Sequence, residues 1–254
     1  MDFIKPHLHE NIRILDAGCG AGRYSVEFAR MGSNVTLLDI SDEQLRIAKS
    51  KLAERNLERQ VSGYIQGDIR DLSMFPDQHF DVVICYGAPL SYVLEGRETA
   101  VSEFHRVLKQ GGVLAVSVSS RWGVFRSFLG WNIQGFFNRP EYWYIDSIIT
   151  TGDLPKHEQV EHPPRHFFEA AELRELIESA SFRDVSLGSG PCILFGCRQQ
   201  ANEICKDETA YRTLLDIELR AYQKPGMADS GEFLMAKGRK LSRPLQLLPR
   251  LRAP

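Results

Sequence analysis

Over its first 120 residues the chain alternates short apolar runs with amphipathic stretches at close spacing, the pattern of βαβ units that feed a parallel sheet. Ile12 to Leu15 predicts a short apolar strand running into the turn Gly18-Cys19-Gly20-Ala21-Gly22. A helix follows from about Arg23 to Arg30, with Gly32 as its C-terminal cap. Val35 to Leu38 predicts the second strand, and Asp39 sits at its carboxyl end. Ser41 with Gln44 three residues on matches a capping box, after which Leu45, Ala48 and Leu52 recur at helical spacing. Next come a strand near Gly63 to Gln66, a loop opening on Gly67-Asp68, and the strongly apolar strand Phe80 to Cys85. An amphipathic helix from about Arg97 to Lys109, closed by Gly111-Gly112, leads into the strand Val113 to Val118.

From Arg121 to about Pro164 the texture changes. Trp122, Phe125, Phe128, Trp131, Phe136, Phe137, Tyr142, Trp143 and Tyr144 crowd into one stretch that holds all three tryptophans, which reads as an insertion and not as another βαβ unit. A helix from Glu169 to Ala180, a strand from Phe182 to Leu187, a helix from about Lys206 to Tyr222 and a strand near Phe233 to Ala236 complete the pattern. The expected fold is therefore α/β: a doubly wound, mostly parallel seven-stranded sheet carrying an aromatic-rich lid insertion. Residues 1–120 form the ligand-binding half, 121–165 the insertion, 166–240 the remainder of the same sheet domain and 241–254 a basic, solvated tail.

Composition narrows the class. A chain of 254 residues is long enough for one full core, and 43% hydrophobic residues, 25% charged residues and a net charge of -2 describe an ordinary globular protein without a strong field. Nothing in that balance asks for nucleic acid. Cys19, Cys85, Cys192, Cys197 and Cys205 are odd in number and form no CxxC pair, so neither a disulfide framework nor a zinc knuckle is expected. The opening MDFIKPHLHENIRIL lacks the form of a targeting segment, and no run approaches the ~18 apolar residues of a membrane span. The chain reads as cytoplasmic, with no membrane partner.

A strand that ends in glycines and opens a helix lets a ligand approach the backbone and meet the unpaired amides of the helix N-terminus. Dinucleotide folds use G-x-G-x-x-G, but here Arg23 stands in place of the third glycine. A Walker loop also fails, because no Lys-Ser or Lys-Thr follows.

The block ILDAGCGAGRYS resembles the glycine motif of the class I S-adenosylmethionine-dependent methyltransferases, and three later features agree in order and distance over residues 12 to 119. The resemblance implies S-adenosylmethionine as cofactor. Asp16 matches the acid that opens the motif; Gly18 and Gly20 would face the methionine portion, with Cys19 offering a backbone amide. Asp39, with Ile40 beside it, would receive the ribose hydroxyls. Asp68 would accept from the adenine amino group, and the Ile69 amide would read a ring nitrogen. FDVVICYGAPLSY is similar to the family's fourth strand and loop, and EFHRVLKQGGVLAVSV to the helix, glycine turn and fifth strand beyond.

The acceptor side rests on fewer residues. Tyr86 and Tyr92 flank Gly87-Ala88-Pro89 where open α/β sheets hold their ligands, so both are candidates for the methyl channel, Tyr86 also for cofactor contact; the alternative is that they pack the loop. His166, just before a helix, is the candidate for substrate contact or base catalysis. His157 and His162 fall near it with Glu158 and Glu161, but Pro163-Pro164 interrupts any shared helix, and no metal is expected. Only about eleven residues precede the first strand, so the aromatic insertion is the expected cover for an apolar or ring-bearing acceptor; otherwise it is an accessory core or a homodimer face. The loop Tyr86-Gly87-Ala88-Pro89-Leu90 lacks the Asn/Asp-Pro-Pro-aromatic tetrapeptide of base amino methyltransferases, paired glutamates for a protein-arginine acceptor are missing, and no acids follow the fourth strand as a catechol type would want. A small-molecule acceptor remains. RNA or protein methylation and a non-catalytic cofactor-binding protein stay open as alternatives.

Overall fold

The computed structural model describes residues 1–127, 143–156, 163–195 and 198–241. Its first half runs β1 (Arg13–Ala17), α1 (Arg23–Arg30), β2 (Asn34–Asp39), α2 (Asp42–Ala53), β3 (Val61–Gln66), β4 (Phe80–Cys85), α3 (Pro89–Val93), α4 (Arg97–Val107) and β5 (Leu108–Ser119). Two-residue strands β6 (Asp153–Leu154) and β7 (Arg165–His166) then pair antiparallel, and β8 (Arg183–Gly190) and β9 (Phe233–Arg239) finish the main sheet. That sheet has the order β3-β2-β1-β4-β5-β9-β8, with β9 antiparallel to both its neighbours and the other six strands running one way. The expected seven-stranded, mostly parallel, doubly wound sheet is what the chain forms.

Side-chain parity divides the core between the two faces. Ile14, Val35, Leu37, Val82, Ile84 and Ala115 pack on one face with Val26, Phe28, Leu45, Ala48 and Leu52 of α1 and α2. Leu15, Ala17, Leu38, Val83, Cys85, Leu114 and Val116 pack on the other with Leu90, Val101, Phe104 and the helix Ala170–Ser179. Burial on both faces is why β1, β2 and β4 read as continuous apolar runs, whereas edge strand β3 is half exposed. Each fully buried Leu or Phe contributes about 1.5–3 kcal/mol. Among the described residues no helix is long and apolar enough to cross a membrane.

Strands β8 and β9 each run three residues past the sequence reading, and the boundary after α4 changes the role of a motif. Helix α4 stops at Val107, and Gly111-Gly112 lies inside the β5 run, where the register against β4 shifts. Gly111 adopts φ +78° with its amide donating to Lys240 O at 2.7 Å, and a Cβ on Gly112 would stand 2.9 Å from Lys109 O and 3.0 Å from Asp81 O. The glycines thus serve an irregularity at the start of the strand. The end of α4 is met instead by Lys240, a buried side chain whose ammonium donates to the carbonyls of His105 (2.6 Å) and Leu108 (2.8 Å). A cation there answers both the orphan carbonyls and the negative end of the helix dipole.

The insertion opens with a helical segment over 121–127 and returns through the helix Trp143–Thr151 into β6 and β7. Val124, Ile148, Leu154 and Phe167 form a small core of their own, with Phe125 and Tyr144 packed against it. Phe128, Trp131, Phe136, Phe137, Tyr142, His157 and His162 lie outside the described residues, as do 242–254 of the expected tail.

Replacing Lys240 with Met keeps its apolar stem and removes the ammonium. The expected result is a loss of about 1–3 kcal/mol, the penalty of leaving buried carbonyls unsatisfied, read as a lower urea midpoint with unchanged slope.

Candidate active site

In the sheet order, β2 and β3 lie to one side of β1 and β4 and β5 to the other, so the order reverses between β1 and β4 and opens a crevice at their carboxyl ends. The turn after β1 and the loop after β4 meet there. Gly18 adopts φ +74°, and a Cβ on it would overlap Pro89 Cγ and stand 2.8 Å from Pro89 Cβ, so no other residue fits without displacing α3. The amides of Gly18 and Cys19 both donate to Leu38 O, at 2.7 and 3.0 Å, which folds the turn against β2. Gly22, at φ +70°, takes the close-packing role that the sequence reading looked for at position 23: a Cβ there would lie 2.8 Å from Ala48 Cβ.

A cavity of about 460 Å³ occupies the crevice, lined by Gly18, Asp39, Ile40, Gly67, Asp68, Ile69, Arg70, Gly87, Pro89, Tyr92 and Val93. Six of the residues singled out from the sequence thus share one wall system: Gly18, Asp39, Ile40, Asp68, Ile69 and Tyr92. Asp39 accepts from Gly20 N at 2.8 Å through one carboxylate oxygen and from Ser41 N at 2.9 Å through the other. Those bonds fix its plane and leave a lone pair on each oxygen for further donors. Ile40 is 69% exposed, an apolar ledge on the cavity wall. Asp68 is gripped by Arg70, whose Nε lies 3.1 Å from both carboxylate oxygens and whose Nη2 lies 2.6 Å from Oδ2. The Arg70 hydrogen bonds hold the Asp68 carboxyl below the ordinary aspartate range. Sequence reasoning missed Arg70; its only signal was an arginine two residues after the acid.

The remaining candidates stand elsewhere. Asp16 is buried beneath the turn and accepts from Ser25 Oγ at 2.5 Å. Burial pushes its pKa up to about 6, against the Ser25 hydrogen bond and with the Asp39 charge adding to the rise. Cys19 is buried, its thiol facing Gly20 O at 3.4 Å and pushed far above the ordinary range by burial. Gly20 adopts φ +51°, and a Cβ there would meet Gln44 Oε1 at an ordinary 3.9 Å. Tyr86 does not line this cavity: parity puts it with Val82 and Ile84 on the α1 face, edge-on to Tyr24 at 5.1 Å. Its hydroxyl is buried without a hydrogen-bond partner among the described residues, and burial raises its pKa well beyond that of an ordinary tyrosine. Tyr92, in contrast, is 44% exposed on the cavity wall.

His166 is 3% exposed, and both ring nitrogens are engaged at 2.6 Å, Nδ1 by Asp153 and Nε2 by Glu172. Both ring nitrogens are thus occupied by partners within the fold. Arg121 completes this network with bonds to Glu169 and Glu172 at 3.0 and 3.3 Å. His166 is therefore placed as a strut between the insertion and the helix Ala170–Ser179, not where the sequence reading put a base. His105 lies edge-on to Phe182 at 5.1 Å, a packing role. No three His, Cys, Asp or Glu side chains gather to hold a metal among the described residues.

Fold and crevice together define a nucleoside-binding α/β protein of the seven-strand type. Residues 14–112 match the family described as Methyltransferase domain. A malonyl-[acyl-carrier protein] O-methyltransferase of Pectobacterium atrosepticum is 35% identical over 147 residues, 58% of this chain and 54% of that protein. A ubiquinone/menaquinone biosynthesis C-methyltransferase of Shewanella pealeana is 29% identical over 181 residues, 69% of this chain and 68% of that one. The chain thus spans about half the length of the first relative. A solved S-adenosylmethionine-dependent methyltransferase from Methanosarcina mazei shares the fold, with a TM-score of 0.62 at 20% identity over 96% of this chain and 99% of that one. Residues 14–112 thus form a methyltransferase domain, and the chain has the fold of the class I S-adenosylmethionine-dependent enzymes.

The family's cofactor, S-adenosylmethionine, fits these residues. Carboxylates at 39 and 68 suit hydroxyl and amino donors, Ile40 suits a flat ring, and Gly18 presents backbone without a side chain to the cavity.

The raised Asp16 pKa has a thermodynamic signature. Folded Asp16 keeps its proton up to about pH 6, whereas the unfolded chain releases it near 3.8, so the wild type loses stability as pH rises through that window. Asp16→Asn lacks the loss, and its stability relative to wild type should climb by up to roughly 3 kcal/mol between pH 4 and pH 6.5 in urea titrations. A flat difference across that range would show that the carboxyl ionises normally.

Proposed function

We propose that the chain is a cytoplasmic enzyme that transfers the methyl group of S-adenosylmethionine, in line, to a small apolar or ring-bearing molecule. The observation that carries this reading is a single cavity walled on one side by Gly18, Asp39, Ile40 and Asp68 and on the other by Tyr92 and Val93 of α3. One end suits a nucleoside, and the other is open to an acceptor. The names of the relatives, malonyl-[acyl-carrier protein] and ubiquinone/menaquinone biosynthesis, support a small organic acceptor over nucleic acid.

When bound, the cofactor supplies a methyl group already made electrophilic by its sulfonium. The protein's own task is then to align and to exclude water, and positioning alone supplies about 7–11 kcal/mol of barrier reduction. Asp39, its plane set by Gly20 N and Ser41 N, orients the ribose. Asp68 receives the adenine edge, for which the Arg70 grip must loosen or share the carboxylate. The Gly18–Pro89 contact holds the two loops at fixed separation, and Tyr92 faces the acceptor. His166 ties the described return of the insertion to the helix Ala170–Ser179, and the insertion's proposed role is to exclude water from the acceptor.

Calorimetry with S-adenosylhomocysteine tests the site. Wild type should bind it, and Asp39→Ala should weaken binding at least about tenfold, roughly 1.4 kcal/mol; undiminished binding to the variant leaves the assignment without support. Deleting Trp122 to Tyr144 tests the lid. Transfer to acceptor pools, followed as S-adenosylhomocysteine release, should vanish while cofactor affinity largely persists, and equal loss of both would reject the lid role.

A further inference from the structure

On the α3 side of the cavity, β7 brings Arg165 against Tyr92. Arg165 Nη1 donates to the Tyr92 hydroxyl at 3.3 Å, and its guanidinium lies over the Phe167 ring, 4.8 Å from Cζ to the centroid. Its Nε is buried with no hydrogen-bond partner among the described residues. Arg121 pairs with Glu169 and Glu172; Arg97, over the Phe168 ring, also has a buried Nη1 without a hydrogen-bond partner among the described residues, but it stands 3.8 Å from the Glu172 carboxylate. Arg165 pairs with no carboxylate among the described residues, and its one acceptor there is a neutral phenol whose ring lines the cavity.

We infer that Arg165 and the Tyr92 hydroxyl form an oxyanion subsite that selects the methyl acceptor, so that the acceptor is an organic carboxylate with an apolar or ring-bearing body. This deepens the methyl-transfer reading and rests on it. A guanidinium offers five N–H donors in a planar fork that matches a carboxylate, and stacking on Phe167 holds that fork in one orientation. A buried N–H without an acceptor is a standing penalty that a bound oxyanion removes, and the low-dielectric surroundings strengthen the pair. The two carboxylates lining the cavity do not compete for it: Asp39 is held by Gly20 N and Ser41 N, and Asp68 by Arg70. The same charge repels a cationic acceptor, so amines that carry a proton at neutral pH are excluded from this end.

The test titrates the full chain, loaded with S-adenosylhomocysteine, with benzoate, phenylacetate, cinnamate and octanoate and with the matching primary amides. At least one acid should bind about tenfold or more tightly than its amide, the gap that one charge-assisted contact supplies. Arg165→Gln should erase that preference, Arg165→Lys should retain part of it, and both variants should keep wild-type affinity for S-adenosylhomocysteine, which also reports that they fold. Acids that fail to bind, amides that bind as well as acids, or an acid preference that survives Arg165→Gln would each overturn the subsite. Failure of the unsubstituted chain to take up S-adenosylhomocysteine would instead strike the methyl-transfer reading, and this inference with it.

Discussion

The head of the sheet depends on there being no side chain at position 18. β1 and β4 are hydrogen-bonded neighbours whose helices leave on different sides, and their loops must still come together above the crevice. Pro89, the first residue of α3, presses into the space a Cβ on Gly18 would fill. With φ at +74°, Gly18 is also in a conformation that L side chains avoid. That contact sets the distance between the wall bearing Asp39 and the wall bearing Tyr92, and so the width of the cavity in which a donor and an acceptor could meet.

A second constraint lies where the insertion leaves and rejoins the sheet. Arg121 stands at its start, Asp153 and His166 near its end, and Glu169 and Glu172 at the N-cap and first turn of the helix that follows; these five side chains form one continuous polar network. Gly152 is required there, since a Cβ would come within 2.6 Å of Phe167 O and 2.7 Å of His166 Cε1. Removing one member of such a partly buried group leaves an uncompensated charge, a loss of about 3–5 kcal/mol where burial is complete and less where the carboxylates reach solvent. The network therefore holds the described ends of the insertion, where Val124, Ile148, Leu154 and Phe167 pack together. The cavity side and the strut side are joined by β7 itself: Arg165 reaches Tyr92 while His166 reaches the carboxylates.

Most of the framework was legible from residue pattern because local chemistry and tertiary packing agree there. The limits of α1 were set by Gly22 and Gly32, both at positive φ, and Ser41 accepts from Gln44 N at the head of α2 as its spacing implied. Gly111-Gly112 misled, because a glycine pair after a helix resembles a cap; the buried Lys240 that actually meets the carbonyls is more than 130 residues away in sequence. β6 and β7 are too short to show any periodicity. The role of His166 was hidden for a similar reason, since Asp153 reaches it only through that ladder. Tyr86 was misplaced although its position was readable: it has the parity of Val82 and Ile84, which face α1, and so belongs to that core and not to the cavity wall. Arg165 and Arg70 carried no motif. Their importance comes from what each is bonded to.

The most direct test of the central claim is a crystal structure of the chain grown with S-adenosylhomocysteine. The nucleoside should lie between the Gly18 turn and Ile40, with the ribose hydroxyls on the free lone pairs of Asp39 and the Arg70 side chain moved from its present grip on Asp68. A crevice left vacant under saturating product, or product bound at a surface that touches neither Asp39 nor Asp68, would contradict the account.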